Sequence, residues 1–142
     1  MEKERISSFM KKEHGRMIAL LSKVKTSKSE KIFSQFKELK EKHVYAEEKA
    51  IFIFYREGKR SVLADVLSQH EAIKDESDKV ENLLNKKEFD KELKKLMELM
   101  KKHVAFEDRE FYPRLDNELD GEEQKKMLEN VKMILGNIGQ KI

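Results

Sequence analysis

No cysteine occurs anywhere in the 142 residues. That absence excludes disulfides, thiolate metal ligands and cysteine-bound iron–sulfur clusters, and it fits a reducing cytoplasm. Proline occurs once and glycine five times. So few breakers and turn formers argue against a sheet of many short strands. Long apolar runs are missing too. The longest, Ala50-Ile51-Phe52-Ile53-Phe54-Tyr55, falls far short of the ~20 residues that span a bilayer. The N-terminus Met1-Glu2-Lys3-Glu4-Arg5 leads into no apolar signal segment, so the expected location is cytoplasmic, with no membrane partner. Charge of one sign is also lacking: 31 basic residues stand against 28 acidic ones, for a net charge of +3. The two signs are interleaved along every segment, which reads as solvated helix faces. No basic face with stacking aromatics is gathered for nucleic acid, and none is expected as a partner.

What remains is a chain that is 42% charged and 38% hydrophobic, rich in lysine, glutamate and leucine. That mixture favours long amphipathic helices. The length predicts one domain over residues 1–142, burying roughly 70% of its unfolded surface. Apolar residues recur three and four apart in successive segments. The first helix is expected from about Lys3 to Lys25, with Ile6, Met10, His14, Met17, Leu21 and Val24 inward. Ser27-Lys28-Ser29-Glu30 is a capping-box pattern that starts the second, which turns Phe36, Leu39, His43, Ala46, Glu47, Ala50 and Phe54 inward and ends at Gly58. Ser61 is the expected cap of the third, with Leu63, Val66, His70, Ile73, Ser77, Val80 and Leu84 buried. After a turn at Asn85-Lys86-Lys87, the fourth carries Phe89, Leu93, Leu96, Met100, His103, Glu107 and Phe111, with Pro113 near its end. Asp120-Gly121-Glu122-Glu123 is a second capping box. It opens a short fifth helix bearing Met127, Leu128, Val131, Ile134 and Leu135 and ending near Gly136. The predicted fold is all-α: an up-down-up-down four-helix bundle over about residues 3–117, with a short C-terminal fifth helix over about 121–136.

The chain holds four histidines, His14, His43, His70 and His103, one per predicted bundle helix and each inside the apolar stripe. The midpoints between successive histidines fall at Lys28-Ser29, Arg56-Glu57 and Lys86-Lys87, each at or beside an expected turn. An up-and-down chain therefore brings all four imidazoles to one level. Residues four apart share a helical face, so His43 with Glu47, and His103 with Glu107, can each present a nitrogen and an oxygen to one centre. A lone histidine on an apolar face is usually a satisfied core residue. Four at matched depth with two carboxylates would be costly to bury without a cation. The halves also resemble each other: His43-Val44-Tyr45-Ala46-Glu47-Glu48 parallels His103-Val104-Ala105-Phe106-Glu107-Asp108. This repeat predicts a pseudo-twofold two-metal site with two histidines per metal and two shared carboxylates. Nitrogen and oxygen donors of this kind suit iron or manganese better than zinc. A ferritin-like template fails, because it needs Glu-x-x-His and the residues three before the histidines are Lys11, Lys40, Leu67 and Met100. Tyr45, Tyr55 and Tyr112 are read first as packing residues and second as redox partners.

Taken together, Glu13-His14, His43-Val44-Tyr45-Ala46-Glu47-Glu48, Gln69-His70-Glu71 and the run from His103 to Pro113 resemble the hemerythrin-like family, the HHE cation-binding domain. The resemblance implies two iron ions with an oxo or hydroxo bridge. It makes His14, His43, His70 and His103 terminal ligands and Glu47 and Glu107 bridges, and implies a small-molecule ligand such as dioxygen, nitric oxide or peroxide. Oxygen-carrying hemerythrins use an aspartate five residues after the histidine, an offset that Asp108 fills. Glu107 is preferred because it matches Glu47. Oxygen carriers also have a fifth histidine, four residues from another on the third helix, whereas Val66 and Lys74 flank His70 at that distance. The expected function is binding of dioxygen or a related ligand for storage, sensing or scavenging. Alternatives are a di-iron peroxidase or oxidase, and iron storage or sensing without oxygen carriage. A binding protein is expected rather than an enzyme.

Overall fold

The computed structural model describes residues 5–51 and 60–140, with side chains described from residue 64 to 136 in the second stretch. The expected helix end at Gly58 and the positions of Phe54, Tyr55 and Leu63 lie outside these residues or side chains, and Ser61, the expected cap of the third helix, instead lies within it, since that helix already includes Arg60. The architecture is all-α. Helix α1 spans Ile6–Ser27, α2 Glu30–Ala46, α3 Arg60–Asn82 and α4 Phe89–Phe106. These four form the main bundle, with α1 packed along α2 and α4, and α3 along α4. A short α5, Tyr112–Glu118, continues the line of α4, and α6, Gly121–Gln140, packs against α2 and α1.

Local chemistry sets the joints. Lys28 takes a left-handed conformation (φ 53°, ψ 32°) and its N–H bonds to the Val24 carbonyl, closing α1 without a glycine. The second helix is capped by Ser29, whose hydroxyl accepts from the Ile32 N–H at 3.2 Å. Ser27 is the last residue of α1 instead, with its hydroxyl donating to the Lys23 carbonyl, so the α1–α2 turn is tighter than the Ser27 capping box predicted. At α6 the capping box forms reciprocally: Asp120 N–H to Glu123 at 3.0 Å and Glu123 N–H to Asp120 at 2.8 Å. Helix α6 runs past Gly136, which keeps an ordinary helical backbone and so does not act as a left-handed stop.

Two features depart from the expected regular helices. Five residues after α2, Glu47–Ile51, and five after α4, Glu107–Phe111, are π-helical. Each π-turn begins at the glutamate of a His-x-x-x-Glu pair, where the Glu N–H is shared between the carbonyls of the histidine and the residue after it. Pro113 falls in the first turn of α5. There its missing N–H is harmless, so it begins a helix where the sequence placed it near an end. The core divides into two apolar clusters. One gathers Met17, Leu21, Phe33, Phe36, Leu96 and Met100 with their neighbours. The other gathers Ile6, Met10, Ile51, Phe111, Leu115 and Met127 with theirs. Each histidine sits in its helix between a residue of one cluster and a residue of the other, as His14 does between Met10 and Met17.

Candidate metal centre

Between the two clusters lies a polar layer with almost no access to water. His14, His43, His70 and His103 are buried, and Glu47 and Glu107 are 0% exposed. The side chains fall into two overlapping groups, His14, His43, Glu47 and Glu107, and Glu47, His70, His103 and Glu107. Within each, one potential ligand atom per residue lies within 4.8 Å of the others. Both glutamates belong to both groups. His14 and His43 lie with ring centroids 4.9 Å apart and planes tilted by 56°, and His70 and His103 lie 4.9 Å apart edge to face at 66°.

The pairing crosses the internal repeat. His43 Nε2 lies 3.4 Å from its own helix partner Glu47, and His70 Nε2 comes within 3.0 Å of the same carboxylate. His103 Nε2 lies 3.3 Å from Glu107, and His14 Nε2 within 2.9 Å of it. The lone histidine of each half thus faces the glutamate of the other half. All four Nε2 atoms point into the layer.

The outward ring nitrogens explain why. His14 Nδ1 lies 3.0 Å from Asp108 Oδ1, and His103 Nδ1 lies 2.7 Å from Gln69 Oε1. Both partners accept, so Nδ1 carries a proton and Nε2 is the nitrogen turned inward. His70 Nδ1 has the half-exposed Glu48 at 3.5 Å. The Glu107 and Asp108 alternatives therefore separate. Glu107 enters the layer, and Asp108 stands behind His14. A carboxylate one residue on is rotated about 100° round the helix. The sequence reading of Tyr112 as packing also gains a polar side: Tyr112 is buried and its hydroxyl donates to Glu47 Oε2.

Electrostatics point to a missing positive charge. Burial disfavours a charged His14, yet Asp108 and Glu107 outweigh it and push its pKa up to about 10. His70 is also raised, burial being overcome by Glu47. Burial would raise the Glu47 carboxyl, but the neighbouring His43 and His70 imidazoles outweigh it and hold it well below the usual range. The Tyr112 phenol is pushed well above its usual value by burial and then by Glu47 and Glu107. Even so, His14 Nε2, both ring nitrogens of His43, Glu47 Oε1 and both Glu107 oxygens are buried without a hydrogen bond. Each such group costs about 1–3 kcal/mol, and fully burying a large apolar side chain contributes about 1.5–3 kcal/mol. Left alone, the layer would offset several core residues. A pair of divalent cations would take up these lone pairs at once, so the donor set fits a two-metal centre.

One residue of this region escaped the sequence reading. Lys40 is 5% exposed, while Leu39, expected inward, is only half-buried. Phe36, Lys40 and His43 are spaced four and three apart, which marks one face. Lys74 is exposed beside buried Ile73. Among the described residues no helix is long and apolar enough to cross a membrane.

No curated protein and no solved structure gives a significant match to this chain. A family model does: the hemerythrin HHE cation-binding domain matches residues 5–115, a span holding all four histidines, both shared glutamates and both π-turns. By that match, and with two buried His/Glu clusters suited to a di-metal centre, the chain belongs to the hemerythrin HHE cation-binding family.

Proposed function

We propose that this protein is a non-haem di-iron protein that binds dioxygen or a related small ligand, with His14, His43, His70 and His103 as terminal ligands and Glu47 and Glu107 bridging the metals. The carrying observation is the convergence of four inward Nε2 atoms on two carboxylates shared by both groups. Two iron ions would supply reversible redox and ligand-binding chemistry at this point. The chain's own residues do the rest. The His14 and His103 imidazoles are held in one orientation by Asp108 and Gln69, and Glu47 is oriented by Tyr112. Apolar clusters above and below exclude water. Four histidines and two carboxylates leave octahedral ions short of ligands, and no fifth histidine stands four residues from His70. Family membership and a buried layer of metal-ligand donors favour ligand binding over catalysis.

The test is anaerobic reconstitution with ferrous iron followed by exposure to oxygen. Two irons per chain and a reversible coloured adduct are expected, with His43→Ala and His103→Ala each losing metal. Rapid turnover of peroxide without a stable adduct would replace binding by catalysis. Failure to take up iron, or a single tetrahedral zinc, would end the di-iron reading.

A further inference from the structure

Between α2 and α3 lies an open groove of about 480 Å³, the size of a site for a small organic molecule. Of the six candidate metal ligands, only His70 lines it. His70 is also the most exposed of the six, at 6%, against 4% for His103, 1% for His14 and His43, and 0% for both glutamates. At this groove the buried layer comes nearest to the described surface.

The walls are apolar and the rim is acidic. Among the described residues three large apolar side chains are exposed, Tyr45, Leu67 and Met133. Two of them, Tyr45 at 48% and Leu67 at 40%, face each other across this groove with Val44 beside them. Exposed apolar surface rimmed by charge marks a binding surface. The rim sets four carboxylates, Glu41, Glu48, Glu71 and Asp78, against two ammoniums, Lys40 and Lys74. Lys37 pairs with Asp78 but also with Glu81, so the excess of negative charge stands, on a chain whose net charge is +3. The Tyr45 ring already draws one cation, the Lys49 ammonium, 5.9 Å from its centroid.

We infer that this groove receives an external electron donor for the metal centre, a small planar aromatic cation, and that the electron enters through the His70 imidazole. The inference rests on the di-iron reading above. The aromatic face of the donor lies on Val44, Tyr45 and Leu67, and the rim carboxylates offset its charge. The donor loses one electron and one ferric ion becomes ferrous. No atom is transferred. An anionic donor of the same shape keeps the apolar contact and is repelled by the rim.

Methyl viologen is the probe, and its bis-sulfonatopropyl analogue, with the same rings and two added negative charges, is the control. The first readout needs no metal. In the apo-protein methyl viologen should shift the Val44 and Leu67 methyl resonances, and the analogue should bind about fivefold more weakly at low salt. Tyr45→Ala should weaken methyl viologen binding by about threefold or more. The second readout mixes each reduced viologen with the ferric, iron-loaded protein. The cationic radical should reduce it about fivefold faster than the analogue, and the gap should close in about 1 M salt. Glu41→Gln with Glu71→Gln should remove most of the gap. Glu122→Gln with Glu129→Gln, equally exposed carboxylates on α6, should leave it. Equal rates for the two donors at low salt, or a gap that the α6 pair removes as well, would overturn the inference and leave the di-iron reading standing. So would methyl viologen binding that ignores Tyr45→Ala. Wild type that takes up no iron would overturn the di-iron reading and this electron route with it.

Discussion

Replacing Asp108 tests the division between the residue that enters the metal layer and the residue that stands behind it. Asp108 Oδ1 lies 3.0 Å from His14 Nδ1 and the side chain is 24% exposed, whereas Glu107 is 0% exposed and lies 2.9 Å from His14 Nε2. Removing a carboxylate that supports a ligating imidazole typically costs about 10–100-fold in metal affinity, or about 1.4–2.7 kcal/mol. Asp108→Asn keeps an oxygen that can accept from Nδ1–H and loses only the charge, so it belongs near the lower limit, about tenfold. Asp108→Ala leaves Nδ1 without that acceptor and belongs near the upper limit, about a hundredfold. Glu107→Gln has nearly wild-type volume but gives up a carboxylate shared by both groups, so it should lose stoichiometry as well as affinity. Iron content, followed by competition against a chelator of known affinity, reads both quantities. Two irons in Glu107→Gln and fewer than two in Asp108→Asn would reverse the assignment and make Asp108 the ligand.

Other predictions concern stability. The His14 pKa is raised from 6.5 to about 10 in the metal-free fold. A raised value stabilises fully below 6.5 and loses that contribution as pH climbs toward about 10. Thermal melts of the apo-protein should therefore show a falling midpoint across this window, and iron-loaded protein, where a metal stands in for the proton, should not show it. A flat apo-protein profile would refute the charge balance described here. Tyr112→Phe should cost the apo-protein about 1–3 kcal/mol by stranding a buried Glu47 oxygen, measured by denaturant unfolding, with no loss of iron stoichiometry. Lys74→Ala should leave iron content intact, since Lys74 is exposed. Iron loss in that variant would show that the lysine supports the site.

The four helices and the six candidate ligands were legible because their signal is periodic. Stripes such as Ile6-Met10-His14-Met17-Leu21-Val24 fall on one face whatever the neighbouring helices do. All six of these residues are buried. The π-turns left a fainter trace. His103, Glu107, Phe111 and Leu115 are buried at three successive steps of four, and such steps drift by about 40° each on a regular helix. One wider turn restores the alignment, as π-turns commonly do at functional sites. Asp108 could not be placed from sequence, because its partner comes from α1, 94 positions away. Lys40 was missed because an inward lysine contradicts the binary pattern, and only packing shows that the groove side of α2 accepts it.

The support behind the imidazoles is not symmetric, although the His-x-x-x-Glu repeat is. In one half a carboxylate, Asp108, accepts from His14, and in the other a neutral amide, Gln69, accepts from His103. The counterpart carboxylate Glu48 is 41% exposed and 3.5 Å from His70, where water screens it. A carboxylate behind an imidazole makes it a more basic, more electron-donating ligand. The two positions of the centre would then differ in reduction potential.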